Sequence, residues 1–393
     1  MNTQVKTKPF ELKGIHFKTG EPVVVEITNG RISRIIQKGG TKENLPLIAP
    51  GLLDLQVNGY GGLDFNTLPL ADGLVEKITT SLWGKGVTSY FPTVITNRDD
   101  LIEQVLHSIS EVCMTERNVG RGIAGIHLEG PFISPDDGPR GAHPKKYVKA
   151  PDWSLFQRWQ EVAGGRIKIV TLSPEWPGAP EFISKCVESG VVVSIGHTSA
   201  TGEQIQAAVD AGARMSTHLG NGAHPILPRH PNYIWEQLSR DSLWATVIAD
   251  GFHLPKSALK VILRVKGERV MLVSDAVSLS GMPPGQYDLH IGGKVVLTPE
   301  GKLHLADHPN LLAGSALTLI HGIEHLVKSG LASLSEAWEM ASVRPSRLIG
   351  LPAKDGLKAG IPADLVVFSP NGWKIDILET YKDGVLVYSK NKK

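Results

Sequence analysis

Ile126-His127-Leu128-Glu129-Gly130-Pro131 is a short apolar run that stops on a carboxylate, and the chain repeats that arrangement four more times. Ile195-Gly196-His197-Thr198, Thr217-His218-Leu219, Ala249-Asp250-Gly251-Phe252-His253 and Val273-Ser274-Asp275-Ala276 each bring an apolar run to an imidazole or a carboxylate. Such runs, largely apolar without alternation, suit strands buried on both faces, as in a parallel sheet. Working outward, strand patterns fall at 52–57, 87–95, 123–128, 167–172, 191–195, 213–217, 243–249 and 270–274. Helical spacing lies between them at 72–85, 99–117, 152–162, 179–189, 203–211, 234–240 and 256–265. Eight strand-and-crossover units over roughly 250 residues is the repeat number of a (β/α)8 barrel. A doubly wound open sheet has the same alternation without needing eight strands. In a barrel all five polar strand ends surround one mouth.

The flanks read differently. Segments rich in β-branched residues at 10–17, 22–27 and 31–37, with Thr28-Asn29-Gly30 as a turn, precede the first barrel strand. The pattern is β-like again from 287 to 305, helical at 317–329 and 335–348, then strand-like at 363–368, 375–381 and 385–389. The expected fold is therefore α/β: a TIM-type barrel over 50–350, with a small β-sandwich built jointly from 1–49 and 351–393.

The 393 residues are 41% hydrophobic and 20% charged with a net charge of +2, an ordinary globular balance. Nothing in that charge suggests nucleic acid or an anionic membrane as partner, and no run approaches the roughly 18 apolar residues of a membrane span. The polar start, Met1 to Phe10, lacks a signal-peptide core, and Cys113 and Cys186 have no metal-type spacing. Both read as reduced thiols in helices, so the cytoplasm is the expected compartment. The closing Lys390-Asn391-Lys392-Lys393 reads as a solvated tail.

Chemistry gives the strand ends a common purpose. Glu129, His197 and His218 offer one carboxylate and two neutral imidazoles, a set suited to Zn2+ or a similar divalent ion with a position left for water. Such an ion lowers the pKa of its water to roughly 7 and so supplies a nucleophile at neutral pH. Asp275 would accept the released proton and pass it to a leaving nitrogen. A single strand-end His or Asp is ordinarily a hydrogen-bonded or capping residue, and His127 and Asp250 are read so. Four such residues converging on one mouth reverse that reading.

These residues, with Gln56-Val57-Asn58-Gly59, Pro50-Gly51-Leu52-Leu53-Asp54, Leu312-Ala313-Gly314-Ser315 and Ala363-Asp364-Leu365-Val366, carry a resemblance over nearly the whole chain. The chain resembles the N-acetylglucosamine-6-phosphate deacetylases of the amidohydrolase superfamily. The resemblance implies removal of an acetyl group from a phosphorylated N-acetylated amino sugar. It assigns Glu129, His197 and His218 to one divalent metal, Zn2+ first and Fe2+, Mn2+ or Co2+ as alternatives, and Asp275 to general base and acid. It implies a single ion, because Gln56-Val57-Asn58 stands where two-metal relatives carry His-x-His. It gives His143 to polarisation of the acetyl carbonyl, and Ala142, Asn221, Gly222, Arg229, His253 and the turn Leu312-Ala313-Gly314 to the sugar phosphate. Because the family's arginine reaches across a subunit interface, it also implies a homodimer.

The chain departs from the family between His218 and Tyr233. Gly220 replaces a bulky aromatic, Ala-Met is missing after Asn221, and His224 and His230 are additional. That departure leaves the metal chemistry as it is and admits another epimer or acetamido sugar. The rival readings are an amidohydrolase acting on another N-acyl or cyclic amide and a catalytically silent binding protein on the same fold. The first is expected to carry His-x-His, and the second to have lost one of the four strand-end residues.

Overall fold

Eight short strands run parallel in the order of the chain: β1 (Leu52–Val57), β2 (Val87–Ile95), β3 (Ile126–Glu129), β4 (Ile167–Leu172), β5 (Val192–Ile195), β6 (Met215–Ser216), β7 (Trp244–Val247) and β8 (Val270–Leu272). Every neighbouring pair from β1 to β8 is parallel. This computed structural model describes residues 8–39, 44–289 and 293–391. The beginning of the polar start and the last two lysines of the basic tail lie outside the described residues, as do three residues of the β-like stretch 287–305.

Among the described residues the barrel closes without a regular ladder. A single parallel bridge, Val57 with Ala276, joins the β1 end to the chain after β8. Side chains and turns complete the seam. Asp54 Oδ1 accepts the Ser274 N–H at 3.1 Å, the Ser274 hydroxyl donates to the Gln56 carbonyl at 3.3 Å, and Asn58 and Gly59 donate to the Ala276 carbonyl at 2.8 and 3.1 Å.

Inside, Leu53, Leu55, Phe91, Ile169, Met215, Ile248, Met271 and Val273 form an apolar plug. Above it runs a buried polar belt. His127 Nδ1 meets the Leu55 carbonyl at 3.0 Å, so this nitrogen carries the proton; Nε2 then accepts from Thr171, 2.7 Å away. Thr171 and Thr217 are hydrogen-bonded, and so are Thr217 and Ser194. Outside, helices bury one stripe each on the sheet. Ile102, Val105, Leu106 and Ile109 of the helix Asp99–Thr115 follow the i, i+3, i+4, i+7 pattern.

The two chain ends pair as expected, and they do so in one seven-stranded mixed sheet. Its order is Val385–Ser389, Lys374–Lys382, Leu365–Asn371, Leu47–Pro50, Phe10–His16, Pro22–Thr28, Arg31–Gln37. The sheet curls over its own core of Val23, Val25, Ile27, Ile32, Ile48, Leu365 and Val367, and Arg31 bridges to Pro362. Trp338 ties it to the barrel, stacking on Phe368 at 4.3 Å and donating to the Pro50 carbonyl at 2.9 Å.

Several boundaries differ from the sequence expectation. The helix expected over 335–348 is two helices, Leu334–Met340 and Val343–Ile349. Pro345 explains the break, since it has no N–H and its ring would strike the carbonyl four residues back in a continuous helix. The β-like stretch after 280 forms a separate antiparallel sheet, Gly285–Leu289, Gly293–Leu297 and Leu303–Leu305, with its own small core. Strand β6 keeps only two residues of the expected five.

Candidate active site

Glu129 is the last residue of β3, His197 and His218 lie two residues beyond β5 and β6, and Asp275 lies three beyond β8. Glu129, His197 and His218 are buried and Asp275 is half-buried at one mouth. Glu129 Oε1 is 3.2 Å from His197 Nε2 and 3.1 Å from His218 Nε2, and the two imidazole nitrogens are 3.1 Å apart. A tetrahedral ion with bonds of about 2.0–2.1 Å spaces its ligand atoms about 3.3 Å apart. The triangle fits that edge.

Tautomers strengthen the fit. His197 Nδ1 lies 2.7 Å from the Pro139 carbonyl, an acceptor only, so Nδ1 carries the hydrogen and a neutral ring presents a lone pair at Nε2. That lone pair faces the Glu129 oxygen, which already accepts the Gln56 amide N–H at 2.8 Å. Two acceptors at this distance repel unless a cation lies between them. Among the described residues His218 Nδ1 is buried without a partner, so its tautomer is left to whatever Nε2 binds. Glu129, His143 and His197 also place ligand atoms within 4.8 Å of one another. The tighter triangle is the better coordination set, with His143 at its side.

The electrostatics separate the groups by role. Burial works against charge on Glu129, but the two imidazoles that face it favour the ionised carboxylate and hold its carboxyl well below the usual range. Burial also opposes charge on His218, yet Glu129 raises its pKa. Burial, reinforced by the Glu129 charge, pushes Asp275 up to about 6, close enough to neutrality for this carboxyl to exchange a proton there. Burial lowers His143 to about 3, so its ring is neutral, with Nδ1 held 2.8 Å from the Thr96 hydroxyl.

Backbone strain marks the same residues. Among the described residues six that are not glycine have positive φ, and three of them are His197 at 48°, His218 at 29° and Asp275 at 49°. Each costs on the order of 1 kcal/mol or more. The conformation turns each side chain from the strand direction into the mouth.

The comparisons with known proteins agree with this geometry. The amidohydrolase family model matches residues 47–389. The chain is 32% identical to the N-acetylglucosamine-6-phosphate deacetylase of Lysinibacillus sphaericus over 81% of each chain.

It belongs to the amidohydrolase family.

A relative from Escherichia coli O157:H7 named N-acetylgalactosamine-6-phosphate deacetylase is 30% identical over 87% of this chain and 89% of its own. The fold also matches that of an aspartate-to-alanine mutant of the Mycobacterium smegmatis N-acetyl-D-glucosamine-6-phosphate deacetylase, solved in complex with N-acetyl-D-glucosamine-6-phosphate. That match has a TM-score of 0.84 at 27% identity and covers 96% of this chain and 100% of the other. Amidohydrolases depend on a metal, and the Glu129–His197–His218 triangle of this one has the donors for it.

The remaining expected residues are placed unevenly. His143 lies against His197, ring centroids 4.5 Å apart, and Ala142 is exposed beside it. Gly222 packs on the His197 ring, where a Cβ would meet Nδ1 at 2.7 Å. Asn221 turns its amide back to the His218 carbonyl at 3.3 Å. His253 is held through Nδ1 by Asp250 Oδ2 at 2.7 Å, so Asp250 orients a neighbour as well as accepting two backbone N–H groups. Leu312, Ala313 and Gly314 run beside the mouth, since Ser315 bridges to Ala276 and Gly314 packs on Val277. Arg229 is exposed and makes no hydrogen bond or ion pair with the described residues.

Three contributors escaped the sequence reading. Gln56 donates to Glu129, Asn58 donates to Asp275 Oδ1 at 2.8 Å, and the Thr96 hydroxyl holds His143. Gln56 and Asn58 are two apart at the end of β1 and its exit, a spacing that sends both side chains the same way and was itself legible. Thr96 carried no comparable signal.

Proposed function

We propose that this amidohydrolase removes the acetyl group from N-acetylglucosamine 6-phosphate, or a close epimer, releasing acetate and the amino sugar 6-phosphate. The observation that carries the reading is the close triangle of Glu129, His197 and His218 ligand atoms beside a carboxylate, Asp275, poised near neutrality. The family and the named relatives support the substrate class.

Glu129, His197 and His218 would hold one divalent ion, Zn2+ before Fe2+, Mn2+ or Co2+, which supplies Lewis acidity at the acetyl carbonyl and a nucleophilic water at neutral pH. Asp275 takes the proton released on attack and returns it to the departing nitrogen, an otherwise poor leaving group. Neutral His143 donates to the carbonyl oxygen if Thr96 donates to its Nδ1, which leaves the hydrogen on Nε2. Arg229 and His253 bind the phosphate, with Asn221, Gly222, Ala142 and the Leu312-Ala313-Gly314 turn around the sugar. Ile226 is 86% exposed and Trp235 53%, on the loop and helix that flank Arg229. Such apolar exposure supports a homodimer in which Arg229 serves the neighbouring site. No described helix is long and apolar enough to cross a membrane, in keeping with a cytoplasmic enzyme.

Acetate release from a panel of 6-phosphorylated and unphosphorylated N-acetyl hexosamines tests the reading, with metal-loaded protein beside Asp275→Asn. Fast release from one phosphorylated epimer, reduced about 10²- to 10⁴-fold in the variant, is the expected result. Release only from unphosphorylated sugars would remove the phosphate role of Arg229 and His253. No release from any sugar would remove the substrate assignment.

A further inference from the structure

Positions 54, 56 and 58 of the first strand and its exit each send a polar side chain to a different part of the site. Asp54 accepts the backbone N–H of Ser274, the residue before Asp275. Gln56 donates to Glu129, and Asn58 donates through Nδ2 to Asp275 Oδ1 at 2.8 Å. The Asn58 backbone is pinned as well, its N–H donating to the Ala276 carbonyl at 2.8 Å, on the far side of Asp275. The seam that closes the barrel is thus concentrated on the one residue that moves protons.

The chemistry of that contact is specific. Asp275 makes no other hydrogen bond among the described residues, so the Asn58 amide engages one carboxylate oxygen and leaves Oδ2 unpartnered. Turning the Asn58 amide over would set its carbonyl against the carboxylate, so the donor orientation is the one the charge demands. A carboxylate free to rotate exchanges its two oxygens; one clamped at Oδ1 offers the same oxygen for both halves of a proton transfer. An amide N–H does this without titrating, whereas a histidine in its place would compete for the proton.

We propose that Asn58 is a positioning residue that clamps Asp275 Oδ1 and thereby makes Oδ2 the proton-carrying oxygen. This rests on the reading of Asp275 as general base and acid. Asn58 contributes to turnover and leaves substrate binding and ion binding to other residues. Displacing a reacting group by about 1 Å costs on the order of 10²-fold in rate, which sets the scale of the effect.

The test compares Asn58→Leu, similar in size but without a donor, with the smaller Asn58→Ser, beside Asp275→Asn. Metal content, kcat and KM are measured on the best phosphorylated N-acetyl hexosamine. The expected result is one ion per chain as in the parent, KM within about 3-fold and kcat lower by about 10- to 100-fold in whichever Asn58 variant folds. An unchanged kcat in a folded, metal-loaded variant overturns the proposal. So does a raised KM at constant kcat, which would make Asn58 a substrate contact. Loss of the ion or of the fold in both variants overturns it too, assigning Asn58 to the scaffold of the metal site. An active Asp275→Asn would instead sink the general-base reading on which the proposal stands.

Discussion

As the proposed general base, Asp275 must be ionised before the reaction begins, and its surroundings resist ionisation. Burial and the Glu129 charge raise it to about 6, while His218 and His253 pull the other way. The base works only when ionised, so kcat/KM should fall as pH drops through about 6, and a pH–rate profile reads that limb directly. A limb near 4 would describe a solvated carboxylate and contradict the buried geometry. Gly222 gives a second expectation at this scale. Its φ is +56° and an added Cβ would press on His197 Nδ1 at 2.7 Å, whereas Gly190, at φ +81°, has open space around it. Gly222→Ala should lower metal affinity at least about 10-fold, and Gly190→Ala should cost only about 1 kcal/mol of backbone strain with the metal retained. Metal titration and denaturant unfolding of the two variants separate these outcomes.

Among the elements, the seam between β1 and β8 carries the clearest consequence. Asp54 accepts from Ser274 across it, and burial pushes the Asp54 carboxyl up to about 7, with Ser274 opposing. A carboxyl raised from 3.8 is favoured in its protonated form by the fold. Its contribution to stability is therefore full below about pH 4 and is lost as pH rises to about 7. Asp54→Asn keeps an acceptor for Ser274 and cannot ionise, so its unfolding midpoint relative to the parent should improve from pH 5 to pH 8. Equal shifts at both pH values would show that Asp54 is not raised. The broken helix at Pro345 and the two-residue β6 show the same principle from another side: local propensity yields where packing or a missing N–H decides.

At the scale of the molecule, the core and the site are separate constructions. The apolar plug, the belt from His127 to Ser194 and the helix–sheet layer are complete without the ligand triangle. Removing metal with a chelator should therefore abolish acetate release while leaving the far-UV circular dichroism close to the parent. The melting temperature should fall and return on adding Zn2+, because an ion at 100 times its Kd stabilises the folded state by about 2.7 kcal/mol. Loss of the dichroism on chelation would instead make the ion part of the fold.

Runs of apolar residues ending on Glu129, His197, His218 and Asp275 made the barrel, the single mouth and its metal chemistry legible in sequence. Strand spacing and burial are short-range properties that each segment carries by itself. Tertiary structure alone decided how those residues work. The Pro139 carbonyl that sets the His197 tautomer and the Asn58 clamp on Asp275 join segments distant in the chain, and the left-handed turns at His197, His218 and Asp275 are held only by the packing around them. A hydrogen bond across 217 positions leaves no periodic trace in a sequence, and it exists only once the barrel closes.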